Sequence, residues 1–95
     1  MSKKDAYENK LRAQLEEWRA EIDLLKAKAH KAEANLQIDY YQKIEELNAS
    51  METARKKLSE LEDASGGAWE DIKIGLENAW DDLEAAIDSA KSRFK

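Results

Sequence analysis

The fold is decided at residues 57–76, which read KLSELEDASGGAWEDIKIGL. From Tyr7 onward the chain contains no helix breaker until Ser65-Gly66-Gly67, in the middle of this stretch. Glycine adopts the positive φ that often ends a helix, so the pair predicts a turn at 65–67. The sequence therefore predicts two helices of unequal length, one at about 4–64 and a shorter one at about 68–93 that folds back on it.

The composition agrees with long helices. The 95 residues include no proline, no valine and only three glycines, and Asp, Glu, Lys and Arg make up 39% of the chain. A charged, alanine-rich chain with helical periodicity is typical of coiled coils, and scarce β-branched residues disfavour a sheet. We expect a single all-α domain over residues 1–95, built as a helical hairpin.

Apolar residues in the first predicted helix recur at alternating steps of three and four, which is the spacing of a coiled-coil seam. After Leu36 the series resumes at Tyr40 rather than Asp39, so one residue is skipped. Such an insertion relaxes the supercoil, and we expect a straight or irregular stretch at 36–44. The predicted seam consists of Leu11, Leu15, Trp18, Ile22, Leu25, Ala29, Ala32, Leu36, Tyr40, Ile44, Leu47, Met51, Ala54, Leu58 and Leu61.

Charged and capping residues mark the ends of both predicted helices. Ser2 and Asp5 form a helix-start signal for the first helix. In the second helix, acidic residues in the first turn and basic residues in the last turn complement the helix dipole. These are Glu70 and Asp71 at its start, and Lys91, Arg93 and Lys95 at its end.

The second predicted helix repeats itself every eleven residues, with Trp69 matching Trp80 and Ile72 matching Leu83. Eleven residues make three turns at about 3.67 residues per turn, close to the 3.6 of a straight helix. One apolar stripe therefore stays on one side of this helix, and we expect it to pack on the first helix. The stripe contains Trp69, Ile72, Leu76, Trp80, Leu83, Ile87, Ala90 and Phe94.

The unequal helix lengths predict self-association. The shorter helix covers only half of the longer one, so the apolar residues from Leu11 to Leu25 would remain in water, and exposed apolar patches usually mark interfaces. An antiparallel homodimer covers them, with a three-helix bundle at each end and a thin waist at 27–36. A parallel dimer and higher oligomers are the alternatives.

The sequence offers no constellation for catalysis, a cofactor or a metal. It contains no cysteine, and the single histidine, His30, precedes Glu33 in the reverse order of the Glu-x-x-His pairs of di-iron bundles. A solvated His30 is the simplest interpretation, although two copies meeting in a dimer would form a weak pH-sensitive contact. A net charge of −5 disfavours nucleic acid. We expect no enzyme, no cofactor, no metal and no nucleic-acid partner.

The N-terminus lacks the apolar region of a signal peptide, and no apolar run approaches the roughly 20 residues that span a bilayer. The sequence therefore predicts a cytoplasmic protein.

Three segments carry a resemblance to known proteins: MSKKDAYENKLRAQLEEWRAEID (1–23), KIEELNASMETARKKLSELEDAS (43–65) and AWEDIKIGLENAWDDLEAAIDSAKSRFK (68–95). Together they resemble a family of small bacterial coiled-coil proteins linked to stress responses. The resemblance covers nearly the whole chain and is most specific in the tryptophan-repeat tail. It implies a cytoplasmic helical protein that works under stress conditions, with no functional residue to carry over.

Two functions follow as expectations. The first is a non-enzymatic structural, scaffold or protective protein that acts by helix–helix self-association. The alternative is reversible binding to a membrane surface through the amphipathic helix 68–94, whose period resembles that of exchangeable apolipoproteins and some desiccation-protection proteins. The tail from Ala68 onward has seven acids and four bases, whereas anionic membranes favour basic faces, so lipid binding ranks second.

Overall fold

The computed structural model describes residues 2–94 and contains three helices over this range. They are α1 (Lys3–Lys31), α2 (Ala34–Asp63) and α3 (Ala68–Arg93). The helices pack into a bundle of 52 × 21 × 18 Å. This confirms the predicted all-α class. Lys95, which the sequence places in the last basic turn, lies outside the described residues.

The single long helix predicted at 4–64 is wrong, because the chain turns back at Ala32 and Glu33. Both residues have extended backbone, with φ/ψ of −78°/157° and −64°/153°. These angles are open to every residue, so the turn needs neither glycine nor proline. The stretch at 36–44 is regular helix, so of the straight or irregular stretch predicted there the irregular alternative is not found.

Hydrogen bonds at this turn satisfy the backbone oxygen of Ala29, which would otherwise lack a partner at the end of α1. The backbone N–H of Ala32 donates to the Ala29 oxygen at 3.2 Å, and the side-chain amide of Gln37 donates to the same oxygen at 3.0 Å. At the start of α2, the N–H groups of Leu36 and Gln37 both donate to the Glu33 oxygen at 2.9 Å. The turn is thus a hydrogen-bonded reversal rather than an open loop.

The reversal buries within one chain the stripe that was expected to need a second copy. Leu11, Ile22 and Leu25 are each exposed by 3% or less in the single chain. Burying one such side chain contributes about 1.5–3 kcal/mol, whereas each backbone hydrogen bond lost at the break costs about 0.5–1.5 kcal/mol. Intramolecular burial outweighs helix continuity, and covering this apolar stripe no longer requires a dimer.

The remaining helix ends follow their local sequence signals. The Ser2 hydroxyl accepts from the Asp5 N–H at 3.1 Å and caps α1. Gly66 has φ of +61° and turns the chain between α2 and α3. Lys4, at the start of α1, donates to the backbone oxygens of Glu62 and Ala64 at 3.1 and 2.7 Å. This contact closes the end of α2 and shows that α1 and α2 run antiparallel.

The core runs the full length of the bundle, and Leu47, Leu61, Leu76, Leu83 and Ile87 are its largest fully buried side chains. Leu36 was predicted in the core but is 49% exposed, because it lies in the first turn of α2, where no other helix of the chain covers it. Three other predicted core residues are only partly buried: Ala32, Trp69 and Ile72. The rest of the predicted core is buried: Leu11, Leu15, Trp18, Ile22, Leu25, Ala29, Tyr40, Ile44, Leu47, Met51, Ala54, Leu58, Leu61, Leu76, Trp80, Leu83, Ile87, Ala90 and Phe94.

Candidate functional site

Two aromatic pairs join α1 to α3. Tyr7 lies against Trp69 with ring centroids 6.2 Å apart, and Trp18 lies against Trp80 at 5.9 Å. Each pair joins positions 62 apart (7 and 69, 18 and 80), so α1 and α3 run parallel in constant register. The eleven-residue spacing of the tryptophans in α3 is therefore matched by the same spacing of aromatic residues in α1. The repeat therefore places each tryptophan of α3 against an aromatic residue of α1.

A lysine covers the outer aromatic pair. The Lys73 ammonium lies 5.0 Å from the Tyr7 ring centroid, 5.9 Å from that of Trp69 and 3.8 Å from a Glu77 carboxylate oxygen. The Tyr7 hydroxyl donates to the same Glu77 oxygen at 3.5 Å. Partial burial, followed by the nearby Glu77 charge, raises the pKa of Tyr7 above 10.0. Two rings and a carboxylate form a cation-binding cluster, and the chain's own lysine fills it.

A buried carboxylate belongs to the charged contacts between α1 and α2. Glu8 is 8% exposed and lies 3.8 Å from both the Lys4 ammonium and the Arg12 guanidinium. Arg12 also pairs with Glu62 on α2, and this hydrogen bond raises the pKa of Arg12 above its ordinary value. Charged groups are rarely buried without partners, so these contacts explain the burial of Glu8. The cluster ties the beginning of α1 to the end of α2 and has a structural role.

Three cavities are shallow grooves between helices, open to solvent. One groove of about 300 Å³ lies between α1 and α2 and is lined by basic Arg19, Lys26 and Arg55 together with Asp23 and Glu52. Two further grooves of about 250 and 270 Å³ lie between α1 and α3. Their charged lining is mostly acidic and consists of Glu17, Glu21, Glu77, Asp81, Glu84 and Asp88, with Lys10 and Lys91 as the basic members.

Trp80 is the one described residue with a buried side-chain polar atom that lacks a hydrogen-bond partner. Its indole N–H is unpaired, although the side chain is only 6% exposed. A buried tryptophan usually finds such a partner. The ring contributes apolar contact with Trp18 across the α1–α3 interface, but this packing leaves the indole N–H without a hydrogen-bond partner.

His30 lies at the end of the bundle where α1 turns into α2. Its side chain is exposed and meets the edge of Tyr41 with ring centroids 6.4 Å apart. Leu36, Ile38 and Tyr41 are exposed on the first turns of α2, near this contact. The expectation of a solvated His30 agrees with this exposure.

Residues 2–94 contain neither a cluster of metal ligands nor a membrane-spanning helix. Within this range no three His, Asp or Glu side chains converge as metal ligands would. The same residues include no helix with the length and apolar content needed to cross a bilayer.

Sequence reasoning missed Tyr7 and Glu8 as members of the packed face of α1. Both residues could have been predicted from the sequence. Glu8 lies three residues before Leu11 and so continues the seam toward the N-terminus. Tyr7 lies eleven residues before Trp18, which is the spacing of the tryptophan repeat.

Comparison of the chain with protein-family models, with curated proteins and with solved structures finds no match in any of the three. The resemblance to bacterial stress-response coiled coils therefore stays an expectation drawn from the sequence.

Proposed function

We propose that this protein is a non-enzymatic structural or protective protein that acts by helix–helix association, with a second copy of itself as its first partner. The observation that carries the proposal is the position of Leu36. This residue continues the coiled-coil spacing of the buried stripe, one turn before Tyr40, yet it is exposed. An apolar residue in register with a helix seam is a natural contact for another helix.

The chemistry of the charged groups supports a non-enzymatic role. Catalytic acids and bases usually have pKa values shifted toward the working pH. The pKa values of Tyr7 and Arg12 are instead raised further from neutrality, and both groups belong to contacts that hold helices together. The grooves are open, so a small substrate would remain in water rather than be enclosed.

Light scattering coupled to size-exclusion chromatography tests self-association. We expect the average mass to rise with protein concentration, and the Leu36→Asn variant to weaken this rise. Ile38→Asn is the matched control, because Ile38 is also exposed but lies about 160° around α2 from Leu36. A mass that stays at one chain across the whole concentration range would contradict the proposal.

The protective role, suggested by the resemblance to stress-response proteins, has a separate assay. A labile enzyme is dried or heated with the protein, and its recovered activity is compared with that in an equal mass of an unrelated acidic protein. We expect greater recovery with this protein. Equal recovery of enzyme activity would contradict the protective role and leave the structural role as the proposal.

Lipid-surface binding is the second candidate, and the start of α3 favours it. Ile74 is 69% exposed there, and Trp69 and Ile72 are only partly buried. The rest of the α3 stripe is in the core, so full lipid binding requires α3 to leave the bundle. Liposome flotation with anionic and with neutral lipid tests this, and Ile74→Ser should reduce flotation. Absence of flotation under all conditions would remove the candidate.

A further inference from the structure

We propose that the hinge at Ala32 and Glu33 can straighten, and that two chains then exchange α1 to form an antiparallel, domain-swapped dimer. The inference rests on the proposed self-association and names how the second copy binds. Each end of the dimer would contain α1 of one chain with α2 and α3 of the other. Exchange of an identical element is a low-cost route from monomer to dimer, because it reuses contacts that already exist.

The hinge contains nothing that prevents a continuous helix. It has no glycine, no proline and no positive φ, and alanines at 32 and 34 are the strongest helix formers. Glu33 precedes α2 without a side-chain capping hydrogen bond. A continuous helix would also restore the i to i−4 backbone hydrogen bonds that the turn interrupts around residues 33–36.

The two apolar stripes stay in phase if the hinge straightens. Ala29 ends the buried stripe of α1 and Tyr40 begins that of α2, eleven residues later. Eleven residues turn an α-helix by three full turns and only about 20° more. Both stripes then face the same side of one long helix, as an antiparallel pair of such helices requires. The skipped residue in the seam is thus compatible with both the folded-back and the extended chain.

The contacts that hold α1 would be retained between chains. The Trp18–Trp80 ring pair and the Arg12–Glu62 ion pair join α1 to α3 and α2. After exchange they join one chain to the other without a change in local geometry. The balance between monomer and dimer then depends on the hinge and on protein concentration rather than on new core packing.

The exchange also gives Leu36 a neighbour. Residues 12 and 62 pair in the bundle and are equally distant from residue 37, so the two-fold axis of the exchanged dimer passes near residue 37. Leu36 lies about 20° from Ala29 around a continuous helix, within the stripe that faces the second copy. The leucine that is 49% exposed in the single chain would therefore be covered at the centre of the dimer.

Two substitutions in the hinge region should shift the equilibrium between monomer and exchanged dimer in opposite directions. Ala34→Pro fits the folded-back chain, because Ala34 is the first residue of α2 and Glu33 before it is extended. The same proline interrupts a continuous helix in both chains and should raise the dimer dissociation constant by roughly a thousandfold or more. Gln37→Ala removes the side-chain hydrogen bond to the Ala29 oxygen. This hydrogen bond forms only in the folded-back chain, so its loss should raise the dimer fraction.

The experiment refolds the full-length chain and both variants from denaturant at low and at high concentration. Light scattering gives the mass, and small-angle X-ray scattering gives the longest dimension. A continuous helix over 3–63 is roughly 90 Å long, against 52 Å for the monomer. We expect an elongated dimer that increases in Gln37→Ala and is lost in Ala34→Pro, with the monomer melting temperature of Ala34→Pro equal to or above that of the parent chain.

A crosslink distinguishes exchange from surface contact. The chain has no cysteine, so Arg12→Cys and Glu62→Cys together add two unique thiols. A short bismaleimide applied to the isolated dimer joins two chains covalently if α1 is exchanged, and closes each chain on itself if it is not. Intra-chain closure in a dimer would overturn the exchange but leave self-association standing. No dimer at any concentration, even in Gln37→Ala, would overturn both.

Discussion

Replacing Trp80 with alanine tests whether α3 is held to the bundle through its second tryptophan. Trp80 is 6% exposed and its ring lies against that of Trp18 at a centroid distance of 5.9 Å. Truncating a buried tryptophan costs about 3–5 kcal/mol, of which the ring pair accounts for about 0.5–1.5 kcal/mol. Domains are stable by about 5–15 kcal/mol in total, so Trp80→Ala should remove a large part of the free energy of unfolding.

Two further substitutions separate the contributions at this interface. Trp80→Phe keeps an aromatic ring but removes the indole N–H that has no partner, and leaving such a group buried costs about 1–3 kcal/mol. This gain offsets the smaller buried area, and we expect a net change within about 1 kcal/mol. Trp69→Ala should cost about 1–2 kcal/mol, because Trp69 is only partly buried and truncation costs less there.

Urea unfolding followed by circular dichroism at the helical band is the assay, since each variant removes a fluorescent residue. With a slope of about 2 kcal/mol per molar urea, Trp80→Ala should lower the unfolding midpoint by roughly 2 M. The reasoning is refuted if Trp80→Ala costs less than about 1 kcal/mol, or if Trp69→Ala costs as much as Trp80→Ala.

Three other predictions concern a turn, a phenol and the chain end. Gly66→Ala should lower the free energy of unfolding by about 1 kcal/mol because Gly66 has φ of +61°, whereas Gly67→Ala should cost less. A Cβ meets open space at both positions, so the two substitutions differ only in backbone strain. Equal costs in urea unfolding would contradict this explanation. The raised pKa of Tyr7 means that its neutral form is favoured in the folded protein, so this stability is present below pH 10.0 and is lost as the pH rises through the folded pKa. Tyr7→Phe should therefore show a smaller decrease in urea midpoint than the parent chain between about pH 9 and pH 11, and identical decreases would argue against the shift. Phe94→Ala should cost about 3 kcal/mol, because Phe94 is 6% exposed and stacks on Tyr40 at 4.1 Å; an unchanged melting temperature would show that this end is not docked in solution.

The sequence by itself determined the all-helical class, most of the core and the second turn. Steps of three and four between Leu11 and Leu61 mark residues that lie on one face of α1 or one face of α2, and this geometry holds whatever the helix packs against. Gly66 and Ser2 act on their nearest backbone neighbours, so the turn before α3 and the cap of α1 could also be predicted. The eleven-residue repeat likewise predicted the α3 stripe, because the period depends only on helix geometry.

Only the tertiary structure decided that the chain reverses at Ala32 and Glu33. Their backbone angles are accessible to any residue, and alanine and glutamate favour helix, so no local signal predicts the turn. The turn forms because one chain can bury the Leu11–Leu25 stripe against α2 and α3, which outweighs a few backbone hydrogen bonds. The partners of Trp18, the burial of Glu8 and the exposure of Leu36 all follow from that reversal. They depend on which helix lies opposite, and residue spacing alone cannot specify this.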